Sequence, residues 1–168
     1  MAATRNAILH FSRGFSPSKT NRKTDICVLR RGGDMEKRIL HSAGNWAALD
    51  EKHMLPILAE LKALKKRIVL VTETQFPELL KTKYNPDIFS NKESLNIVFQ
   101  RLSNCHCLFL AASSFGALIA NTMDPRYIVH TVNSSDFQFN SYFAFREFGT
   151  AISVRSDPRK IIKLCSSD

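Results

Sequence analysis

The sequence predicts an α/β domain: a parallel sheet with helices on both faces. Three observations lead there. Short runs of strand length alternate with segments of helical periodicity. The strand runs are apolar throughout rather than alternating, as strands covered on both faces are. Polar clusters follow the ends of three of those runs, at the edge where ligands of such sheets bind.

The elements follow in order. Asp25 to Arg30 (DICVLR) reads as a buried strand, and Arg31, Gly32, Gly33 and Asp34 as the turn after it. Residues 35–50 are polar and irregular, with Trp46 an expected anchor. Leu55, Leu58, Leu61 and Leu64 recur at helical spacing and predict an amphipathic helix over 52–66. Pro56 fits that helix only in its first turn. Lys65, Lys66 and Arg67 close it with charge favourable to the dipole.

Arg67 to Val71 (RIVLV) is the second strand, and Thr72, Glu73 and Thr74 stand at its tip. A short helix is expected over 77–83. Ser90 and Glu93 have capping-box spacing and introduce a helix with Leu95, Val98, Phe99 and Leu102 on one face. Cys107 to Ala112 (CLFLAA) is the third strand, and Ser113, Ser114 and Phe115 open a small-residue helix. Tyr127 to His130 makes a fourth strand. The tail holds a strand at Ala151 to Val154 and a helix at Pro158 to Cys165.

Composition bounds the rest. The 168 residues, 44% apolar and 23% charged, fit one globular domain. Net charge is +9, with a pI of about 9.7. The lead carries Arg5, Arg13, Lys19, Arg22 and Lys23 with no acid, so residues 1–24 are expected to form a basic flexible segment and 25–168 the domain. A basic lead of this kind suits a phosphate polymer or an anionic membrane, and its composition is also that of a mitochondrial transit peptide. The apolar run from Ala7 to Phe11 is too short for a secretory signal, and no run reaches the ~18 residues of a membrane span. A cytoplasmic location is expected, with mitochondrial targeting the alternative. No interleaved basic and aromatic strand pattern points to nucleic acid.

The cysteines are Cys27, Cys105, Cys107 and Cys165. Cys105-His106-Cys107 has no second ligand pair to complete a zinc site, so all four cysteines are read as structural thiols and the compartment as reducing. No metal is expected. His41, His53 and His130 have no spacing that ties them to a nucleophile, and no Walker loop, G-x-G-x-x-G or Ser-His-Asp elbow is present.

Three clusters carry the chemistry. Arg31-Gly32-Gly33-Asp34 offers a planar fork for a diphosphate, with glycines that allow the backbone to approach closely. Ser113 and Ser114 offer hydroxyls beside free helix N–H groups, and Glu73 offers an acceptor for a base or ribose. Each alone is equally a solvated turn, an N-cap or a polar loop start. In combination and in this order they resemble the C-terminal half of fucosyltransferases with the H-x-R-x-G-D motif, the α-1,2-fucosyltransferases and their O-fucosylating relatives. Arg31 to Asp34 stand at the R-x-G-D, and Ser103 to Phe115 are similar to that family's second signature. The family's leading His is Leu29 here, and an alternative alignment through Arg30 leaves the choice between Arg30 and Arg31 open.

The resemblance implies a Rossmann-like C-terminal domain of a GT-B glycosyltransferase. The donor would be a GDP-sugar, typically GDP-fucose, and the acceptor a glycan or protein hydroxyl. Arg31 would be catalytic, holding the diphosphate and aiding its departure. Arg30, Gly33, Asp34, Glu73, Ser113, Ser114 and Phe115 would form the donor site. No metal cofactor is implied, because Arg offsets the charge. GT-B enzymes place the acceptor site in an N-terminal lobe, so a partner lobe would complete the cleft and the chain alone could be inactive. The alternative is a non-catalytic nucleotide- or phosphate-binding module, or a degenerate part of such an enzyme.

Overall fold

The structure, a computed structural model, describes residues 23–30, 51–72, 87–90, 94–110, 114–130 and 150–167. Among them are six strands: β1 (Asp25–Arg30), β2 (Ile68–Thr72), β3 (Asp87–Ser90), β4 (Cys105–Leu110), β5 (Tyr127–His130) and β6 (Thr150–Ser153). Four helices accompany them: α1 (Glu51–Ala63), α2 (Leu95–Leu102), α3 (Ser114–Met123) and α4 (Pro158–Ser166). The strands form one sheet in the order β3-β2-β1-β4-β5-β6, and every pair is parallel. This is the doubly wound, Rossmann-like α/β fold.

Strand alternation splits the core in two. Ile26 and Val28 of β1, with Ile68 and Leu70 of β2, join Met54, Ile57, Leu58 and Leu61 of α1 and Ile161 and Cys165 of α4. Cys27, Leu29, Val69 and Val71 turn to the other face, against Val98, Phe99 and Leu102 of α2 and Ile119, Ala120 and Met123 of α3. Both faces are thereby covered by helices, which is why residues 26–29 and 68–71 are apolar at every position. Burying one side chain such as Leu61 or Phe109 contributes roughly 1.5–3 kcal/mol.

Several boundaries differ from the sequence reading. β3 was not expected: DIFS is four residues long and bounded by polar groups, and only its ladder with Val69–Thr72 defines it. Ser90 does not open α2 as expected: it ends β3, and the residue before α2 is Ser94; Glu93 lies outside the described residues. Pro56 is the sixth residue of α1 rather than a first-turn residue, so one backbone bond of that helix is lost. The helix expected over 77–83 and Trp46 lie outside the described residues.

β4 begins at Cys105, not Cys107, because it is bulged. Asp25 faces Cys105 and Ile26 faces Cys107, so His106 is the extra residue. The bulge sends Cys105 to the α2/α3 face and Cys107 to the α1/α4 face. There Cys107 meets Cys165 of α4 in a disulfide, Cα–Cα 5.5 Å. That corrects the expectation of four free thiols: a bulge invisible in the sequence turns Cys107 toward the last helix. Cys27 and Cys105 remain free and buried.

Helix ends follow ordinary rules. Asp157 caps α4 through a bond from the Arg159 N–H, 3.0 Å, with Pro158 behind it. α1 ends in a Schellman arrangement: the Lys65 N–H donates to Lys62 O and the Lys66 N–H to Leu61 O. Lys65 occupies the left-handed position there, φ 60°, where glycine is usual. At the end of α3, the Lys23 ammonium donates to the carbonyls of Met123, 2.6 Å, and Asp124, placing a cation on the negative end of the helix dipole. No helix among the described residues is long and apolar enough to cross a membrane.

Candidate functional site

The sheet order fixes where a ligand crevice forms. From β1 the chain winds outward through β2 to β3, and from β4 it winds the other way through β5 to β6. The reversal lies between β1 and β4, whose carboxyl ends are neighbours at Leu29 and Leu110. In doubly wound sheets the crevice outside this reversal is the ligand site.

Two rows of residues mark that edge. On one side of the reversal, Arg30 pairs in register with Thr72, and Thr72 with Ser90. On the other, Leu110 pairs with His130, and His130 with Ser153. Thr72 and His130 are buried, and the Nδ1 of His130 is sealed from solvent. His130, considered from sequence only as an isolated proton carrier, thus stands at the rim, whereas His53 is exposed on α1.

Arg30 is half-buried, and its Nε donates to Glu51 Oε1 at 3.0 Å. The pair joins the end of β1 to the first turn of α1, where a carboxylate is also favoured by the helix dipole. Glu51 was not singled out from sequence. It is 21 residues from Arg30, and only the crossover from β1 to β2 brings the two together.

Of the other residues expected in the site, Arg31, Gly33, Asp34, Glu73 and Ser113 lie outside the described residues, as does His41. Ser114 and Phe115 open α3, which begins four residues after the last residue of β4, Leu110. In chain order Arg31–Asp34 directly follow β1, Glu73 follows β2, and Ser113 falls between β4 and α3. Among the described residues there is no group of three or more metal-ligating side chains.

The opposite edge is built differently. Asp25 at the start of β1 is 2% exposed and receives 3.0 Å and 3.2 Å bonds from the Arg67 guanidinium and the Asn104 amide. Nearby, burial raises the Cys27 thiol well above its ordinary value of 9.0. A hydrogen bond with Cys105, the charge of Cys105 and the Asp25 carboxylate add to the rise, and Arg67 opposes it.

No family model matches the chain, and no curated protein matches it. A solved structure, that of a glycosyl transferase of family 9 from Veillonella parvula DSM 2008, is similar at a TM-score of 0.49 and 16% identity. The match covers 86% of this chain and 37% of that one, so the chain spans little more than a third of that protein's length. The strand order, not this likeness, defines the fold.

Proposed function

We propose that this chain is the donor-binding domain of a glycosyltransferase that uses a nucleotide sugar, GDP-fucose being the expected donor. The observation that supports the reading is the reversal between β1 and β4. R-x-G-D at Arg31–Asp34 directly follows β1, and the Ser113–Phe115 cluster is separated by two residues from the end of its parallel neighbour β4. A guanidinium from one segment and helix N–H groups from the other suit the two ends of a diphosphate. Arg30 is already engaged by Glu51, which favours Arg31 as the diphosphate contact and Arg30 as its neighbour at the rim. Transfer would join an acceptor oxygen to the sugar's anomeric carbon and break the bond to the diphosphate, with Arg31 in place of a metal. The acceptor would be a glycan or protein hydroxyl held by a second lobe.

The test is calorimetric titration of the full chain with GDP, GDP-fucose, UDP and ATP. GDP and GDP-fucose are expected to bind, and chelator to leave binding unchanged. Arg31→Lys keeps the charge and loses the fork; it is expected to weaken GDP binding by about 1–3 kcal/mol, the range for a charge-assisted hydrogen bond. Ser114→Ala should cost less. Equal binding by wild type and Arg31→Lys removes Arg31 from the site. Binding with neither transfer nor hydrolysis of GDP-fucose supports the binding-module reading instead.

A further inference from the structure

The two helical layers differ in charge. On one face, α1 and the turn after it carry Lys52, Lys62, Lys65 and Lys66 against Glu51 and Glu60. Packed beside α1 on the same core, α4 and its lead-in carry Arg155, Arg159, Lys160 and Lys163 against Asp157. On the other face, α2, α3 and the turns that follow carry only Arg101 and Arg126 against Asp124. The excess therefore belongs to one layer, and one lysine at a helix end does not account for it.

Five of the cations on that layer face solvent. Lys52, Lys65, Arg159, Lys160 and Lys163 are exposed, and none of them forms an ion pair with a described residue. Leu64 lies among them, half exposed at 49% between Lys62 and Lys65. It is the last residue before the left-handed Lys65 in the Schellman turn that ends α1.

We propose that the α1/α4 face lies on an anionic lipid bilayer. A broad cationic face is complementary to a sheet of headgroup charge. Most of its cations are lysines, which act as point charges rather than bidentate forks. An apolar residue ringed by lysines suits the boundary between headgroups and acyl chains. Nucleic acid is disfavoured: of the aromatics packed in this layer among the described residues, Phe109 is buried and Tyr127 half-buried, with its ring against His106 and under Arg126, and neither offers a platform on which bases stack. The binding does not depend on the donor reading, and it leaves the carboxyl edge of the sheet open.

Sedimentation with vesicles tests it. The full chain is mixed with phosphatidylcholine vesicles that either lack or contain about one-third phosphatidylserine. The wild type should partition onto the anionic vesicles only, and release as salt rises. The double variant Lys65→Glu, Lys163→Glu changes exposed residues at two helix C-terminal ends, so it should stay folded with a slightly lower thermal unfolding midpoint; its partition should fall at least about 25-fold, roughly fivefold for each cation lost. Leu64→Ser should weaken partition and leave its salt dependence unchanged. Equal partition of the folded double variant and wild type overturns the proposal. So does equal partition onto neutral vesicles, or binding that disappears with residues 1–22 yet survives the double variant. A preference of the wild type for single-stranded RNA over anionic vesicles also overturns it.

Discussion

At the amino end of β1 a carboxylate is buried while its cation stands largely in solvent; at the carboxyl end the cation is mostly buried and its carboxylate is the more exposed partner. Asp25 is 2% exposed and Arg67 56%, whereas the Arg30 and Glu51 side chains are 15% and 36% exposed. The difference teaches which end serves stability. A buried carboxylate must be fully hydrogen-bonded, and Asp25 is held by Arg67 and Asn104. The Arg30–Glu51 pair contributes less, because water competes for its partly exposed carboxylate. The amino edge is therefore a lock, and the carboxyl edge carries the more weakly held pair.

Paired substitutions break or sharpen this contrast. Arg67→Met leaves the Asp25 carboxylate buried without its cation and should destabilise the fold by about 3 kcal/mol in urea unfolding. Arg30→Met should cost no more than about 1 kcal/mol. If the two changes cost the same, the edges do not differ as described. A smaller effect belongs to the amino edge alone. Lys65→Gly relieves a left-handed residue and should raise stability by about 0.5–1 kcal/mol; a loss would mean that the lysine side chain stabilises the turn by more than its strained backbone costs. The smallest effect concerns pH. The folded protein holds the Cys27 proton more tightly than the unfolded chain does, so this contribution is complete below about pH 9 and is lost as pH rises toward the folded value. Urea midpoints measured from about pH 8 to about pH 10 should fall, and the fall should be shallower in Cys27→Ala.

The sheet was legible because its signal is local. ICVL, IVLV, CLFL and YIV are apolar runs that only strands with two covered faces require. β3 and the bulge at His106 were not legible: a four-residue edge strand and a one-residue register shift are defined by their partners. The bulge also explains why C-H-C resembles a ligand motif without acting as one, since its two cysteines face opposite layers. At the rim, sequence pointed to Arg30 but not to Glu51, because an ion pair across a crossover leaves no spacing to read. Likewise the charge asymmetry emerged only when α1 and α4, at opposite ends of the chain, proved to be neighbours on one core.

The reversal at the centre of the sheet also bears on the order of assembly. β3, β2 and β1 form one half from strands consecutive in the chain, and β4, β5 and β6 form the other. The halves meet along a single ladder, in which Ile26 waits for Cys107 although Ile68 is much nearer in sequence. Closing that long loop costs more entropy than any neighbouring pairing within a half. During synthesis β1 therefore carries an open edge until the ribosome has passed Leu110. The crevice between β1 and β4 comes into being only when the two halves join.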